Sequence, residues 1–510
     1  MRLNSSLLLS LLPVLAFACN GSSSAAPDED GGTSSGSSSG GSSEGGGPGG
    51  GFYTPKGCDY SFQPQTNLGF QNLALDDTGA VSSTKGVPTR VRLGLGGGVV
   101  KGGPGYADPA TTAAFTWETD EANHAAKVKY GTSASALSNV QTGYTWTVPA
   151  SLGPAINMHE VHVCGLMPGT TYYYQVGGGP SGSEVWSATQ SFTTVPSSGS
   201  VTFGVFGDAR DVDTVWQSVH QRMKELKVAL MVIPGDIVDL GANETEYQTW
   251  LNEIWDPSNN GQFITLGQTM IVPINGNHEN DTADSFANWA IPADAQHQYP
   301  ETYASFDAGS VHFVLVDDQQ ISQTVNGNPP PEAQMQLKWL DADLAAANAD
   351  RKNHPFIVVL SHRGIFSTSY HAHDGDVLAV RGQLAPLFDK YKVDLAVNGH
   401  DHEYERSLPL HAGNPATGAP VTGAGTQYII NAGAGADPYA INSAPASYSS
   451  GKQQGFCGGG TMCTQYPYIG IYSTLTATAT TLTMTVYGLK PSSTSYMEDG
   501  MVDSLTIMAQ

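Results

Sequence analysis

The sequence predicts a mixed α and β chain: a β-sandwich followed by an α/β/β/α sandwich, in which helices cover two stacked sheets. Residues 111–194 contain short segments of alternating apolar and polar residues separated by proline and glycine turns, a pattern typical of a β-sandwich. From residue 201 onward, continuous apolar runs alternate with stretches of helical periodicity. Such runs are typical of strands buried on both faces, so we expect helices on the outside of the sheets.

The first 19 residues are typical of an export signal. A positive charge at Arg2 precedes an apolar run over residues 7–18 that is too short to span a bilayer. The run ends in the sequence LAFAC, which is similar to the cleavage box of bacterial lipoproteins and predicts membrane attachment through a lipid on Cys19. Ordinary cleavage after Ala18 is the alternative. We therefore expect an exported protein, either a cell-surface or outer-membrane lipoprotein or a periplasmic or secreted one.

Residues 20–55 are rich in glycine and serine and contain few apolar side chains, so they predict a flexible tether. The whole chain of 510 residues carries 46 acidic against 22 basic side chains, a net charge of −24. Binding to nucleic acid depends on basic side chains that neutralise phosphates, so we expect no nucleic-acid partner.

Four cysteines follow Cys19, and an even number in an exported chain predicts two disulfides. Cys457 and Cys463 flank a short loop, which favours a bond between them and leaves Cys58 for Cys164. Four cysteines allow three connectivities, so the sequence leaves the pairing open.

The N-terminal domain is predicted for residues 86–196. Period-two alternation marks strands at residues 113–119, 126–131 and 159–164, and a turn feeds a further strand within residues 166–176.

The second domain is predicted for residues 200–510. Helical apolar spacing marks residues 214–226 and 331–344, and further strands are predicted at residues 311–317, 427–431 and 474–487. Five other apolar runs lead directly into groups of polar residues; these runs are 201–206, 229–234, 270–274, 355–360 and 393–397.

The polar groups after these five runs share one chemistry, because each offers a carboxylate, an amide or an imidazole. Open α/β sheets place their sites at the carboxyl ends of such strands, so these side chains are expected to converge. Oxygen and nitrogen donors without cysteine suit hard to borderline metals such as iron, zinc or manganese. The predicted ligands are Asp208, Asp236, Asp239, Asn277, His362, His400 and His402.

The order of these motifs resembles the calcineurin-like metallophosphoesterase superfamily, and within it the purple acid phosphatase branch. The motifs are Gly207-Asp208, Gly235-Asp236, Gly276-Asn277-His278-Glu279, His362 and Gly399-His400-Asp401-His402, and the resemblance spans residues 201–510. The N-terminal segment is similar to a fibronectin type III module, like the N-terminal domain of that family. The resemblance implies an exported hydrolase of small phosphate monoesters with two metal ions of unknown identity.

The same resemblance implies how the ligands divide. Asp236 would bridge the two metals. Asp208 and His402 would complete one site, with Asp239 as an additional candidate, and the other would use Asn277, His362 and His400. Two such ions activate water and neutralise phosphoryl oxygens in this class of enzyme.

Two positions depart from the family's pattern. The metal-binding tyrosine of the family falls at Asp239, so the charge-transfer colour of the family is expected to be absent. A family glycine falls at Arg210. The guanidinium of Arg210 either contacts the phosphoryl group or forms a structural salt bridge.

The remaining catalytic candidates are histidines. His278 is predicted to protonate the leaving group or to bind phosphate, with Glu279 orienting it. The segment from Tyr370 to Asp376 resembles the family's substrate loop, so His371 or His373 is expected to contact substrate.

Other functions stay open at this stage. A phosphodiesterase could use the same scaffold, and a surface lipoprotein with an adhesion role and a vestigial site is a further alternative. The sequence does not indicate an oligomeric state.

Overall fold

The computed structural model describes most of the chain beyond residue 53. The predicted signal segment with Cys19, almost all of the tether, and Cys457 and Cys463 lie outside the described residues. The chain divides into units 1–44 and 45–510, and every described residue belongs to the second. The described ranges are 54–61, 71–74, 86–100, 106–119, 125–148, 156–179, 181–211, 213–254, 266–292, 301–412, 421–441, 447–455, 467–490 and 497–510.

The N-terminal part consists of strands, in agreement with its period-two alternation. In chain order these are β1 (Tyr60–Ser61), β2 (Gln71–Ala74), β3 (Thr89–Gly94), β4 (Gly97–Val100), β5 (Tyr106–Ala107), β6 (Ala113–Thr119), β7 (Lys127–Gly131), β8 (Asn139–Thr142), β9 (Tyr144–Val148), β10 (Ile156–Val163), β11 (Thr171–Gly178), β12 (Val185–Trp186) and β13 (Gln190–Thr193).

Two antiparallel sheets form from these strands. One has the order β2-β9-β10-β6-β3, and the other has the order β12-β11-β7-β8 with β13 paired to β11. Phe115 of the first sheet packs against the rings of Tyr174 and Phe192 of the second, at 4.7 and 5.5 Å between centroids. The two sheets therefore share one apolar core, while the fibronectin type III assignment stays a prediction.

A disulfide joins Cys58 to Cys164, with 5.3 Å between the Cα atoms. This confirms that predicted pair. The bond fixes the segment before β1 to the residue that follows β10.

The second part alternates strands and helices, as its apolar runs predict. Its strands are β14 (Val201–Val205), β15 (Leu230–Ile233), β16 (Met270–Pro273), β17 (Ala304–Ala308), β18 (Val311–Leu315), β19 (Phe356–Leu360), β20 (Leu395–Asn398), β21 (Tyr404–Ser407), β22 (Leu410–His411), β23 (Val421–Thr422), β24 (Gln427–Asn431), β25 (Ser449–Gln454), β26 (Gly470–Ala477), β27 (Thr481–Lys490) and β28 (Met497–Met508). Its helices are α1 (Asp213–Leu226), α2 (Glu244–Ile254), α3 (Ala283–Asn288), α4 (Asp318–Ser322), α5 (Pro331–Ala349) and α6 (Gly375–Tyr391). Within the described residues, no helix is both long enough and apolar enough to cross a bilayer.

Two sheets stack in this part. A six-stranded sheet has the order β16-β15-β14-β26-β27-β28, and a ten-stranded sheet has the order β1-β4-β5-β17-β18-β19-β20-β24-β21-β25. Phe203 of the first sheet meets Phe313 of the second at 4.9 Å, whereas a Cβ on the adjacent Gly204 would point at Met223 of α1. On the far side of the larger sheet, Val314 packs in a core with residues of α5 and α6. The predicted α/β/β/α layering is therefore present.

The N-terminal segment is joined to the second part by shared sheet structure. Strands β4 and β5 lie inside the domain predicted for residues 86–196, yet they extend the larger sheet of the second part, where Ala107 pairs with Phe306. Arg92, which is fully buried, donates to the carbonyl of Asn288 at 2.8 Å. Backbone pairing and a buried polar contact thus fix the two parts to each other.

His312 provides a test of how this layered structure depends on pH. Its ring lies 2.7 Å from Asp307 and 3.1 Å from Asp343 of α5, and His354 lies near the same Asp307. Burial lowers the pKa of His312, but the two carboxylates raise it more, to about 9. This folded-state pKa exceeds the usual 6.5, so the contacts of protonated His312 with the two carboxylates stabilise the fold fully below pH 6.5. That stabilisation is lost as pH rises through about 9.

We expect His312→Gln to remove about 1–2 kcal/mol of unfolding free energy at pH 6 and much less at pH 10, because one partner carboxylate is partly exposed. Urea unfolding at both pH values measures this. His411→Gln, at a more exposed pair with Asp389, is the control. An equal loss of unfolding free energy in His312→Gln at both pH values would show that the charge of His312 does not stabilise the fold.

Candidate metal centre

The predicted ligands converge where the two sheets meet. Strands β14, β15 and β16 of the smaller sheet and β19 and β20 of the larger one all end at this edge, and each is followed within a few residues by a ligand candidate. Donor atoms of Asp208, Asp236 and His362 lie within 4.8 Å of one another, and all three residues are buried. The structure thus confirms that these three side chains converge, as the positions of the strand ends predicted.

The backbone at the centre adopts an unusual conformation. Asp208, Asp236 and His400 have φ values of 56°, 55° and 73°, in the left-handed region that residues with a side chain rarely occupy. Each is directly preceded by a glycine, in the loop that follows a strand. This strained turn directs a side chain back over the strand ends, and strain of this kind persists only where the surrounding structure holds it.

Glycine is required here for space. A Cβ on Gly276 would lie 2.0 Å from Oδ1 of Asp236, and one on Gly399 would lie 2.5 Å from Oδ2 of Asp208. A Cβ on Gly235 would lie 2.6 Å from Nδ1 of His362. The glycines of the motifs therefore let neighbouring backbone approach the ligand side chains directly.

Glu279 ties two of the ligand-bearing loops together. Its carboxylate is buried and accepts hydrogen bonds from the backbone N–H groups of Asp236, Ile237, Val238 and Gly276, at 2.7 to 3.2 Å. The expectation that Glu279 orients His278 is wrong, because the carboxylate is occupied by these four amides. Glu279 positions Asp236 instead.

Two imidazoles are oriented by backbone carbonyl groups. Nδ1 of His362 donates to the carbonyl of Pro234 at 2.8 Å, and Nδ1 of His402 donates to the carbonyl of Asp437 at 2.5 Å. A carbonyl oxygen only accepts, so Nδ1 carries a proton and Nε2 is the nitrogen that remains to bind a metal ion or a second proton. Ligating histidines are typically fixed in this way.

The atoms that face the remaining ring nitrogens are acceptors. Nε2 of His362 lies 2.9 Å from Oδ1 of Asn277 and 3.3 Å from Oδ1 of Asp236. Nδ1 of His400 lies 2.8 Å from the same Asn277 oxygen. An unprotonated ring nitrogen does not approach an acceptor oxygen so closely, so a proton or a metal ion lies between each pair of atoms. Without a metal, a proton fills this role: burial lowers the pKa of His362, but Asp236 raises it to about 10.

The second half of the centre shows the same demand for positive charge. Nε2 of His402 lies 3.5 Å from Oδ1 of Asp208. Burial raises the pKa of Asp208 well above its usual value, and it lowers the pKa of His402 to about 4. A buried carboxylate beside a neutral imidazole is a good ligand pair for a divalent ion. The residues present therefore fit a metal centre.

Asp239 lies beside the ligands and not among the converging atoms. Its carboxylate is 54% exposed and accepts from Nη1 of Arg210 at 2.5 Å. Arg210 also pairs with Asp211 at 3.2 Å, and its Nε lies 3.9 Å from Asp236. The role of Asp239 as a ligand stays a prediction, while its contact with Arg210 is part of the structure.

His278 lies at the rim of the centre. Its Nδ1 donates to the carbonyl of Asp239 at 2.7 Å, and its Nε2 lies 3.8 Å from Oδ2 of Asp236. The imidazole thus presents Nε2 toward the side where a substrate would bind.

The structure separates the two histidines of the predicted substrate loop. The ring of His371 packs 4.2 Å from that of His400, and its Nδ1 lies 2.7 Å from Asp374. His373 is exposed, and its ring forms no hydrogen bond or ion pair with any described residue. Of the two, His371 is the one that borders the centre.

Tyr439 borders the centre but was not predicted. Its ring stacks on His402, with 4.2 Å between centroids and 12° between planes, and its hydroxyl lies 3.5 Å from Nε2 of His371. Burial raises its pKa to about 12. The signal that could have found it is its position after β24, another strand whose end lies at this edge.

Comparison with known proteins agrees with this geometry. The family model for calcineurin-like phosphoesterases matches residues 202–404, and the model for the purple acid phosphatase N-terminal domain matches residues 105–194. Residues 202–404 are thus identified as a calcineurin-like phosphoesterase domain, and residues 105–194 as the N-terminal domain of the purple acid phosphatase branch. This family consists of metal-dependent phosphoester hydrolases.

Individual relatives are distant. Purple acid phosphatase 21 of Arabidopsis thaliana is 30% identical over 308 residues, which cover 58% of this chain and 64% of the relative. Purple acid phosphatase 18 of the same plant is 26% identical, over 60% of this chain and 66% of its own length. An uncharacterized protein of Mycobacterium tuberculosis is 25% identical, over 59% and 60%. The chain thus spans slightly less than two thirds of the length of these relatives.

Solved structures share the fold. The yellow lupin (Lupinus luteus) purple acid phosphatase PPD1 superposes with a TM-score of 0.62 at 18% identity, covering 83% of this chain and 74% of that one. The structure of PhoD gives a TM-score of 0.52 at 11% identity, covering 81% and 92%.

Gly276→Ala is expected to lower the bound metal per chain by at least half, because its Cβ would collide with the Asp236 carboxylate. Elemental analysis of the purified protein measures the metal. Gly382→Ala is the matched control, since a Cβ there meets nothing within 4 Å. Unchanged metal content in Gly276→Ala would contradict the role of Asp236 as a ligand.

Proposed function

We propose that the protein hydrolyses small phosphate monoesters with two bound metal ions. One observation carries the proposal: buried carboxylates, imidazoles and an amide meet at the carboxyl ends of two stacked sheets, with Nε2 of His362 within 2.9 to 3.3 Å of oxygens of Asn277 and Asp236. Such a donor set has no structural use without a cation. The family is one of phosphoester hydrolases, which favours this chemistry over other uses of a metal.

Six side chains would hold the metals. We assign Asp208 and His402 to one ion, and Asn277, His362 and His400 to the other, with Asp236 shared between them. The distances of 2.8 to 3.5 Å among their donor atoms support this division. When bound, two metal ions supply an activated water and neutralise charge on the phosphoryl group.

Arg210 is proposed to bind the phosphoryl oxygens. Its side chain is 14% exposed, and its guanidinium is held by ion pairs with Asp239 and Asp211. A planar guanidinium with further N–H groups free to donate suits a tetrahedral oxyanion. Asp239 then acts by fixing the side chain of Arg210.

His278 is proposed to donate a proton to the leaving alcohol. The Asp239 carbonyl holds the proton on Nδ1, so Nε2 carries a proton only in the imidazolium form. Nε2 faces the centre, and donation from it leaves a neutral imidazole. This role requires a proton on Nε2 of His278 at the start of the reaction.

A phosphodiesterase on the same scaffold is the second candidate, and an adhesion lipoprotein with a vestigial site is the third. The intact donor set disfavours the third. Assays with p-nitrophenyl phosphate and bis-p-nitrophenyl phosphate, after chelation and metal add-back, separate all three. Turnover of the monoester alone supports the proposal, preference for the diester supports the second candidate, and no turnover of either supports the third.

We further propose that the protein is exported and anchored by a lipid on Cys19, with a fibronectin type III-like domain between tether and enzyme. The apolar run before Cys19 and the glycine-rich segment after it support the anchor. Cys19→Ser is expected to move the protein from the membrane fraction to the soluble fraction. Retention of the variant in the membrane fraction would contradict the lipid anchor.

Asp236→Asn should abolish monoester hydrolysis and lower the metal content, because a shared carboxylate serves both ions. Elemental analysis and the monoester assay measure the two effects together. Asp389→Asn, which changes a carboxylate outside the centre, controls for loss of negative charge. Full metal content with retained activity in Asp236→Asn would exclude the shared role.

Asp239→Asn tests whether this residue binds metal or positions Arg210. We expect unchanged metal content and a KM about 5–20 times higher, since a lost charged contact with the guanidinium weakens phosphate binding by about 1–2 kcal/mol. Loss of metal with an unchanged KM would place Asp239 among the ligands.

A further inference from the structure

An aromatic surface extends outward from the metal centre. The ring of Tyr439 stacks on His402, and the ring of Tyr370 lies 5.4 Å beyond Tyr439, tilted by 41°. Tyr370 is 75% exposed, more than any other large apolar side chain in the described part of the chain. The two tyrosines thus connect a ligand of the centre with open solvent, and we call them the tyrosine shelf.

The shelf is held in place by the elements that carry the ligands. The backbone N–H of Tyr439 donates to the carbonyl of His402 at 3.1 Å, and its hydroxyl contacts His371. The ring of Tyr370 stands edge-on to that of His371, at 4.8 Å and 87°. The backbone N–H of His371 in turn donates to Asp401 at 2.9 Å. The rings are therefore oriented before any substrate arrives.

An exposed, fixed ring gains free energy when another apolar surface covers it. Covering apolar area contributes about 25 cal/mol per Å², and an aromatic partner adds about 0.5–1.5 kcal/mol through ring–ring contact. The phosphate group of a substrate cannot supply this contact, because it is polar and would be bound by the metal ions and Arg210. The alcohol part of the substrate, which extends away from the centre, is the part that can reach the rings.

We propose that the tyrosine shelf binds the leaving group, and that the substrates are phosphate monoesters whose alcohol carries a planar aromatic ring close to the phosphate. This inference rests on the proposed monoesterase function and defines its substrate class. A ring attached to the ester oxygen lies beside Tyr439 and extends toward Tyr370. A small polar alcohol such as glycerol covers neither ring.

Kinetics of two substrates test the shelf. Phenyl phosphate and glycerol 2-phosphate are compared in the metal-loaded wild type, in Tyr370→Ala, in Tyr439→Leu and in Tyr439→Phe. The ratio of variant to wild-type kcat/KM is taken for each substrate, which cancels the difference in leaving-group reactivity. Met508→Ala, another exposed apolar side chain, is the control.

We expect Tyr370→Ala and Tyr439→Leu to lower kcat/KM for phenyl phosphate at least fivefold, and for glycerol 2-phosphate less than twofold. Tyr439→Phe keeps the ring and should retain the preference. Metal content is measured in each variant, because Tyr439 stacks on the ligand His402 and its replacement could lower metal binding. Tyr370 is exposed and contacts no ligand, so Tyr370→Ala tests the shelf independently of metal content. Equal changes for both substrates, or none, would overturn the proposal.

A binding measurement separates this inference from the proposed function. Calorimetric titration of the metal-loaded protein with phenylphosphonate and methylphosphonate needs no turnover. We expect at least fivefold tighter binding of phenylphosphonate, and loss of that preference in Tyr370→Ala. A wild type that hydrolyses neither ester but shows the preference refutes the hydrolase and retains the shelf. Hydrolysis without any preference for phenylphosphonate refutes the shelf alone.

Discussion

Two buried carboxylates, those of Asp208 and Asp236, lie close enough to share one metal centre, and the rest of the site depends on holding them there. Like charges removed from water repel strongly, and their burial is costly without a compensating cation. The turns after β14 and β15 nevertheless force both side chains to the same edge, in backbone conformations that are themselves unfavourable. The protein therefore maintains a buried pair of acidic groups whose negative charge metal ions, or the imidazolium of His362, neutralise.

The parts that hold this arrangement are mostly backbone. Glycines at three turns let main chain approach the ligands, and the carboxylate of Glu279 accepts four amide hydrogen bonds from two loops. Backbone carbonyls set the tautomers of His362 and His402. A side chain held by backbone has few alternative positions, so the donors are arranged before a metal binds.

The rim of the centre differs from the pattern of the family, and the differences are coupled. Arginine and aspartate stand at the positions of a family glycine and the metal-binding tyrosine, and here they form a pair. The aspartate carbonyl also fixes His278. The side chain of Asp239 therefore holds Arg210 at the rim, whereas its backbone carbonyl, which any residue would supply, holds His278. A tyrosine is still present at the centre, but Tyr439 reaches it from the loop after β24 and stacks on a ligand.

The sequence by itself determined the layered fold, the five strand ends and their ligand candidates, because buried strands and glycine turns leave local patterns of apolar runs and motif residues. It also predicted the bond between Cys58 and Cys164 as one of three connectivities. Helices α2, α3, α4 and α6 were not predicted. In α6, Pro386 and Gly382 interrupt a pattern that its buried face otherwise follows. Only the tertiary structure decided that β4 and β5 belong to the larger sheet and that Glu279 binds amides. It also decided that His371 and not His373 borders the centre, and that Tyr439 stacks on His402 with Tyr370 beside it. Each of these contacts joins residues far apart in the chain, and no local periodicity records such a contact.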